Sequence, residues 1–388
     1  MRKIILIGVL PPPYSGQSIA FKVLVDYIGK ANIPYKTINI SGSRSSAIKP
    51  LAILLRGYDY IFTLTRLFFS CLFSKNLVYV QVAQSKNGFR RDVWINHISK
   101  WFDSKIVGHM HGGNFNGFYE SQDAATQSKI KNELLNYEKM IVLSDNLKSM
   151  YDFQPLIHDR IVCIPNGIDK ATEQPTKEIH TAGKINILYL SNLIESKGYL
   201  VVLDSLLLLK QANISFSASF CGEFYIAHDE TNFKNPQEAR NDFFEKIKSY
   251  DLVNEVSFKG VVTGTEKQAL LEAAHFFILP TKYVNEGQPI SIIEAMRTGC
   301  IVIATNYRAI PEMIAHGKTG FLLQHISAVE ITGYVSECVN NPELFTDISN
   351  NAKESYISNF TEVIHGQRML SLLQQCSNGN KNLQRCKC

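Results

Sequence analysis

The chain has 388 residues, of which 45% are hydrophobic and 19% are charged, and its formal net charge is +5. This length and composition predict a folded protein of two domains and exclude a mainly disordered chain. The mild positive charge gives no argument for nucleic-acid binding, and eight scattered cysteines without a C-x-x-C pair indicate reduced thiols in the cytoplasm.

Short Val- and Ile-rich runs alternate with amphipathic stretches along the first half, which is typical of βαβ units and a parallel sheet. Residues 51–73 are rich in Leu and Phe but are interrupted by charges, so we expect no membrane span there. This stretch predicts either a pair of helices packed on their own domain or an interfacial helix on an anionic membrane. The predicted strands are 3–9, 77–82, 105–109, 140–144 and 161–165, and the predicted helices include 18–30, 92–102 and 124–138.

A polar segment at residues 171–184 predicts a linker, after which the alternating pattern starts again. The polar segment 223–241 indicates a loop inserted after a strand and suggests no role. The predicted strands of the second half are 185–191, 215–221, 255–259, 276–280 and 301–304.

The predicted fold class is α/β, with two Rossmann-like doubly wound domains that face each other across a cleft. The predicted segments are a first domain at 1–170, a linker at 171–184, a second domain at 185–350, a helix at 351–375 and a tail at 376–388.

Glu286 and Glu294 are eight positions apart across a predicted junction of loop and helix. Pro289 suits the first helical turn, and the amides of residues 288–291 would then be donors for an anion such as a diphosphate. Carboxylates on both sides of such a turn suit a ligand with hydroxyls on both sides of a diphosphate, namely a sugar nucleotide. A surface glutamate and an unrelated helical glutamate would give the same spacing.

Three further clusters follow predicted strands, where open α/β sheets build their sites. Gly16 allows close backbone approach and Ser18 could cap the next helix, but no G-x-G-x-x-G motif supports a dinucleotide cofactor. His111 could meet a sugar hydroxyl or a phosphate, or be structural, and with His109 it is a weak metal signal. Lys197 suits a phosphate, although a solvated lysine near a helix start is the alternative.

Together these segments resemble family 4 glycosyltransferases, the retaining enzymes of GT-B architecture, of the type that builds bacterial surface polysaccharides. The resemblance covers nearly the whole chain and is strongest from 185 to 323. Glu286 and Glu294 match the E-x7-E signature, residues 196–198 match the phosphate-binding lysine motif, and 165–169 resemble the family's P-N-G-V-D run. His111 matches the family's histidine, and Gly16 its glycine-containing first loop.

The resemblance implies a hexosyltransferase that uses a nucleoside-diphosphate sugar, without a cofactor, an obligatory metal or a nucleic acid. The acceptor would be a hydroxyl of a glycan or of a polyprenyl-linked oligosaccharide in lipopolysaccharide or capsule synthesis. The enzyme would be cytoplasmic and peripheral on the inner membrane, and its terminal helix would cross back to the first domain. The implied catalytic residues are Glu286, His111 and Lys197, and the implied donor-binding residues are Gly16, Asn192, Lys197, Gly287, Gln288, Pro289, Ile290 and Glu294.

One departure from the family concerns Asn192, which stands where the family often has arginine. Asparagine keeps a hydrogen-bond donor but loses a charge and bidentate geometry. We therefore expect a difference in donor affinity or donor choice. Independently of Asn192, three alternatives to the transferase stay open: a sugar-nucleotide epimerase of the same fold, a phosphorylase, and a non-catalytic sugar-nucleotide-binding scaffold in a polysaccharide assembly complex.

Overall fold

The computed structural model describes residues 2–12, 14–41, 49–72, 74–169, 176–179, 183–228 and 230–378, with side chains described from residue 57 onward in the helix that begins at Lys49. This part of the chain divides into two compact units. Unit 1 runs to Asp169 and resumes at Phe360, and unit 2 lies between them and ends at Asn359.

Unit 1 contains a six-stranded parallel sheet in the order β2-β1-β3-β4-β5-β6. Every residue of β3 is buried, because helices cover both faces of a parallel sheet. The strands are β1 Lys3–Gly8, β2 Tyr35–Asn39, β3 Asn76–Val82, β4 Lys105–Met110, β5 Lys139–Val142 and β6 Ile161–Cys163. The helices are α1 Gly16–Lys30, α2 Lys49–Cys71, α3 Lys86–Trp101, α4 Phe115–Glu120 and α5 Ala124–Leu134, with 3-10 turns at Asp145–Tyr151 and Pro155–Arg160.

Unit 2 repeats the plan with a parallel sheet in the order β12-β11-β10-β7-β8-β9. Its strands are β7 Ile185–Leu190, β8 Phe216–Cys221, β9 Val256–Gly260, β10 Phe276–Leu279, β11 Ile301–Thr305 and β12 Gly320–Leu323. Its helices are α6 Tyr199–Gln211, α7 Pro236–Ser249, α8 Gly264–Ala273, α9 Ile290–Arg297, α10 Ala328–Asn340 and α11 Pro342–Asn359, with 3-10 turns at Glu195–Lys197 and Ile310–Glu312. Two Rossmann-like α/β units are therefore confirmed.

The strand order of each sheet reverses at one point. In unit 1 the reversal lies between β1 and β3, and in unit 2 it lies between β7 and β10. Ligands of open α/β sheets bind outside the carboxyl ends of the strands at such a switch point, because the connecting loops diverge there. The loops after β1 and β7, and after β3 and β10, are therefore the places to look for a site.

The last helix, α12 at Glu362–Asn378, belongs to unit 1, where Met369, Leu372 and Leu373 join the core formed by α1 and the sheet. Gly167 permits this docking, because a Cβ there would lie 2.4 Å from the carbonyl oxygen of Thr361. The segment 165–169 is thus a backbone contact for the C-terminal helix.

Several predicted elements differ from the observed ones. In place of a helical pair, one helix, α2 at Lys49–Cys71, covers the described part of this stretch up to residue 71. The helix predicted at 351–375 is two helices, since α11 ends at Asn359 and α12 begins at Glu362.

Strands β2 and β12 were not predicted. Of the predicted linker, residues 176–179 and 183–184 are described, and the first of these pieces packs on unit 2 through the buried side chain of Ile179. The rest of the predicted linker up to 182 and most of the tail, 379–388, lie outside the described residues. Within the described chain, every helix is too short or too polar to traverse a lipid bilayer.

Candidate active site

The loop after β7 carries Lys197 on a single 3-10 turn that leads into α6. Gly198 ends this turn with a φ of +81°, and a Cβ there would lie 2.6 Å from the carbonyl oxygen of Pro280. Glycine is needed because it alone tolerates both the left-handed backbone and the close approach. The turn that holds Lys197 is therefore pressed directly against the loop that follows β10.

The loop after β10 carries Glu286 in a network of short-range hydrogen bonds. The Thr281 hydroxyl donates to Glu286 Oε2 at 3.1 Å, and the Glu286 amide donates to the Tyr283 carbonyl at 2.9 Å. The Lys282 amide donates to the Ser196 carbonyl at 2.7 Å, which ties this loop to the lysine turn. These bonds fix the position of the Glu286 carboxylate relative to the backbone of both loops.

Lys197 and Glu286 meet at the switch point of unit 2. Lys197 Nζ lies 3.3 Å from Glu286 Oε2, and the side chains are only 16% and 9% exposed. The ammonium also donates to Ser191 Oγ at 3.1 Å and lies 5.2 Å from the centre of the Tyr283 ring. The buried carboxylate and the half-buried ammonium thus compensate each other's charge. The alternatives of a solvated lysine and a surface glutamate are wrong.

Helix α9 begins immediately after the Glu286 loop. Pro289 is its N-cap residue with φ −64° and ψ 112°, so it precedes the first helical turn instead of lying within it. Gly287, Gln288 and Pro289 are all buried, as is Ile290, the first helical residue. The short segment therefore places backbone amides at the helix start next to Glu286, which is the geometry that favours an anion.

Glu294 lies within α9 and makes a separate ion pair. Its Oε1 lies 2.5 Å from Nζ of Lys267, which projects from α8, and the Glu294 side chain is 11% exposed. The structure therefore gives the two predicted acids different cationic partners. Asn192 is exposed, and its carbonyl accepts a hydrogen bond from the Tyr189 hydroxyl at 3.1 Å.

Gly16 is the first residue of α1 and lies in the loop after β1 of unit 1. The helix is capped by Ser15, whose hydroxyl accepts from the Ser18 amide at 3.2 Å, while the Ser18 hydroxyl accepts from the Ser15 amide at 2.9 Å. The predicted cap at Ser18 is thus wrong, because Ser18 is the distal member of a capping box. Gln17, which follows Gly16, links this turn to His111 through the side chain of Gln81.

His111 follows β4 and is joined to the Gly16 turn by Gln81. The Gln81 amide nitrogen donates to the Gln17 carbonyl and lies 3.0 Å from His111 Nε2. Gln81 Oε1 accepts from the Val9 amide at 2.8 Å, which fixes the orientation of the amide. His111 Nε2 therefore acts as an acceptor, and its second nitrogen carries the proton of the neutral ring.

Three histidines of unit 1 are held neutral. Burial and the nearby His365 lower the pKa of His111 to about 3, and burial lowers the pKa of His365 to about 4. Burial also lowers the pKa of His109 well below its usual value, and the Tyr79 hydroxyl lies 2.7 Å from its Nδ1. His365 Nδ1 donates to the Pro165 carbonyl at 2.7 Å. A neutral His111 can accept or donate a hydrogen bond near pH 7 without carrying charge.

Sequence reasoning missed two residues of these sites. Gln81 is a fully buried amide near the end of strand NLVYVQV, whose five preceding residues from Asn76 onward include only one other amide, and that mismatch is a signal that could have identified it. Lys267 lies on a helix with an ordinary polar pattern, so nothing local marks it as the partner of Glu294.

Residues 170–355, which nearly coincide with unit 2, match the family model described as "Glycosyl transferases group 1". Within this segment the chain is similar to glycosyltransferases of group 1. The matched segment includes both ion pairs, Lys197 with Glu286 and Lys267 with Glu294. It falls just short of half of the chain.

Curated relatives and solved structures extend the likeness. The "Putative colanic acid biosynthesis glycosyltransferase WcaL" of Escherichia coli (strain K12) is 22% identical over 324 residues, which cover 78% of this chain and 75% of the relative. Its Salmonella typhimurium counterpart is 25% identical over 195 residues, 49% of this chain and 45% of the relative, so the chain spans under half of that protein.

The crystal structure of Anabaena Alr3699/HepE in complex with UDP superposes with a TM-score of 0.68 at 18% identity, over 97% of this chain and all of that chain. A likeness at this identity establishes the fold of the chain, which is that of GT-B glycosyltransferases.

Proposed function

We propose that the chain is a retaining glycosyltransferase of family 4 that moves a hexosyl residue from a nucleoside-diphosphate sugar to a hydroxyl group. The observation that carries the proposal is the paired Lys197 and Glu286, 3.3 Å apart at the switch point of a unit that matches a glycosyltransferase family. The two relatives named "Putative colanic acid biosynthesis glycosyltransferase WcaL" support a glycan acceptor in surface-polysaccharide synthesis. The bound UDP in the HepE structure supports a nucleotide-sugar donor.

The hard step of such a transfer is the departure of the nucleoside diphosphate from the anomeric carbon. The bond from that carbon to the phosphate oxygen breaks with its electron pair on the phosphate, and the acceptor oxygen bonds to the same face of the sugar. The acceptor proton passes to the departing phosphate oxygen. Lys197 and the amides of Gly287 and Gln288 would stabilise the charge on the phosphate, which can contribute several kcal/mol.

The remaining residues receive roles from the resemblance. Glu286 would contact the transferred sugar, and Glu294 would accept hydrogen bonds from the ribose hydroxyls. The helix start at Pro289 and Ile290 would hold the diphosphate. In unit 1, Gly16 would contribute to donor binding, and the neutral His111 would face the sugar or the acceptor. The transfer is proposed to need no metal, and full turnover in the presence of EDTA is the expected result.

Asn192 in place of arginine leaves Lys197 and the backbone amides as the proposed stabilisers of the diphosphate. Because Asn192 is exposed on the same loop, its amide can reach a ligand only as a neutral donor. We therefore propose that the substitution changes donor affinity or donor choice while the reaction is kept.

The first experiment is a thermal-stability screen with UDP, GDP, ADP and their sugars, since a ligand that binds the native state raises the melting temperature. Donor consumption is then compared between wild type, Glu286→Ala and Lys197→Ala. Both variants are expected to lose nearly all turnover while still folding. Unchanged turnover in both would contradict the catalytic assignment.

The same assays separate the alternatives. An epimerase would convert the donor without any acceptor, which product analysis with donor alone detects. A phosphorylase would need free phosphate. A scaffold would bind the nucleotide sugar without turning it over in the wild type.

The acceptor is proposed to be a polyprenyl-linked oligosaccharide, with the enzyme peripheral on the cytoplasmic face of the membrane. Helix α2 has its core-facing residues at Thr63, Leu67 and Cys71, and the opposite side is exposed and, apart from Thr65, apolar. That exposed stripe, at helical spacing, consists of Tyr58, Ile61, Phe62, Phe69 and Leu72.

Helix α3 packs beside α2, since the rings of Phe68 and Phe102 meet edge to face at 5.2 Å. Its outward stripe is Arg90, Trp94, His97 and Trp101, with Trp94 and Trp101 exposed by 55% and 79%. The α2 sequence has three basic residues and one acidic residue, and α3 has four and one. Aromatic side chains beside excess positive charge suit the headgroup region of an anionic bilayer.

Trp94 and Trp101 are the only two tryptophans of the chain, so emission spectra test the membrane proposal directly. Vesicles with anionic lipid should shift the emission to shorter wavelength and retain the protein, and zwitterionic vesicles should do so less. Replacing both tryptophans by Ser should weaken retention, whereas Val329→Ser, at a residue 72% exposed in unit 2, should not. Equal retention of all three proteins would refute this surface.

A further inference from the structure

The segment between β8 and α7, which suggested no role from sequence, runs along the loop that carries Lys197. The Leu193 amide donates to the Glu223 carbonyl at 2.8 Å, and the Tyr225 amide donates to the Leu193 carbonyl at 3.2 Å. The segment therefore begins as a short parallel pairing with the loop after β7.

Glu230, in this segment, binds the residue that directly precedes Lys197. Its Oε1 accepts a hydrogen bond from the Ser196 amide at 2.7 Å, and its Oε2 accepts one from the Ala227 amide at 3.2 Å. One carboxylate thus binds a backbone donor of the 3-10 turn and a backbone donor of its own segment. A charged acceptor makes the stronger kind of hydrogen bond, and the two bonds use both oxygens.

The peptide units around Ser196 are consequently held from two sides. Glu230 binds the Ser196 amide, and the Lys282 amide binds the Ser196 carbonyl at 2.7 Å. Because Ser196 precedes Lys197 directly, these bonds fix the Cα position from which the ammonium reaches Glu286. A second hydrogen bond lies one residue earlier, where the side-chain amide of Asn232 donates to the Glu195 carboxylate.

We infer that Glu230 is a positioning residue, which holds the Lys197 turn in the place where the ammonium meets the outer phosphate of the donor. This inference rests on the proposed function of Lys197 and adds a role for the segment after β8. Glu230 acts through the backbone, so its loss should affect the contact with the second phosphate and the departure of the diphosphate. It should leave acceptor binding unchanged.

The test compares Glu230→Gln with Glu238→Gln. Glutamine keeps the shape of Glu230 but offers one acceptor oxygen and an NH2 group that cannot accept the second amide. Glu238 is the matched control, because its Oε2 accepts the Lys234 amide at 2.7 Å in the same segment and has no bond to the Lys197 turn. Glutamine at position 238 keeps the one oxygen that accepts the Lys234 amide, so only Glu230→Gln is expected to lose a backbone hydrogen bond, with a small decrease in melting temperature.

The readouts are kcat, the KM for acceptor, and the ratio of affinities for a nucleoside diphosphate and its monophosphate, using whichever of UDP, GDP or ADP stabilises the wild type most. Glu230→Gln should lower kcat and the affinity ratio by about tenfold each, with the acceptor KM unchanged, and Glu238→Gln should leave all three at wild-type values. Wild-type values in Glu230→Gln, or equal losses in both variants, would overturn the inference. A wild type that binds no nucleoside diphosphate would instead overturn the proposed function itself.

Discussion

The pairing of Lys197 with Glu286 leads to a prediction with an unusual sign: Glu286→Gln should bind a free nucleoside diphosphate more tightly than the wild type while losing turnover. The Lys197 ammonium lies 3.3 Å from the Glu286 carboxylate, and both side chains are mostly shielded from solvent. A diphosphate that takes up Lys197 must therefore separate this pair and approach the Glu286 carboxylate.

The magnitude follows from the degree of burial. Exposed ion pairs contribute about 0–1 kcal/mol, and well-shielded pairs couple more strongly. With exposures of 16% and 9%, we take about 1.4 kcal/mol as the free energy that the diphosphate no longer has to supply, which is about tenfold in Kd. The glutamine introduced by Glu286→Gln keeps an amide oxygen for the Thr281 hydroxyl, so the loop should retain its shape.

Titration calorimetry with the best-stabilising nucleoside diphosphate measures the affinity, and donor consumption measures turnover. Glu294→Gln is the control, because its carboxylate is paired with Lys267 and its proposed partner is the ribose. That variant should bind the nucleotide more weakly. Unchanged or weaker binding by a folded Glu286→Gln variant would refute the idea that the ion pair competes with the diphosphate.

Two further predictions concern unit 1, whose unfolding in urea can be followed by the emission of its two tryptophans. His365 has a pKa of about 4 when folded and about 6.5 when unfolded, so stability is complete above pH 6.5 and falls as the pH drops towards 4. Between pH 7.5 and 5, the free energy of unfolding should fall by about 2 kcal/mol more in wild type than in His365→Asn, which retains a donor for the Pro165 carbonyl. An equal fall in both proteins would contradict this account. Gly167→Ala should destabilise unit 1 by about 1–3 kcal/mol, because its Cβ would meet the Thr361 carbonyl. The control Gly57→Ala has open space around the new Cβ and should not destabilise the unit. Equal effects of the two substitutions would exclude the close contact as the cause.

The central strands of both sheets could be predicted because burial on two faces makes them continuously apolar. The two strands that escaped prediction, β2 and β12, are edge strands. In β2 only Ile38 is buried, and the polar residues on either side hide the pattern. All four residues of strand β12 are buried, but the strand is short and begins at the last glycine of a Gly-Lys-Thr-Gly run that predicts a turn.

The site could be predicted as far as local sequence determines it. Lys197 and Glu286 each follow a strand, and the order of strands in a doubly wound sheet brings those strand ends together. The partner of Glu294 could not be predicted, since Lys267 lies on a different helix and side-chain direction there depends on tertiary packing. The same holds for Glu230, whose bond to the Ser196 amide joins two loops 34 positions apart.

The two ion pairs give the site a common property. A carboxylate that is about one-tenth exposed stays charged at low cost only beside a cation, and the structure supplies one to each acid from a different element. Donor binding on the proposed model is therefore an exchange: the diphosphate takes the cation of Glu286, and sugar hydroxyls take over the carboxylate. A free nucleoside diphosphate brings no such hydroxyls, so it should displace the pair less readily than the intact donor does. The ion pair would then favour release of the nucleoside diphosphate over release of the intact donor. Asn192 adds no second cation for the diphosphate, which is consistent with that preference.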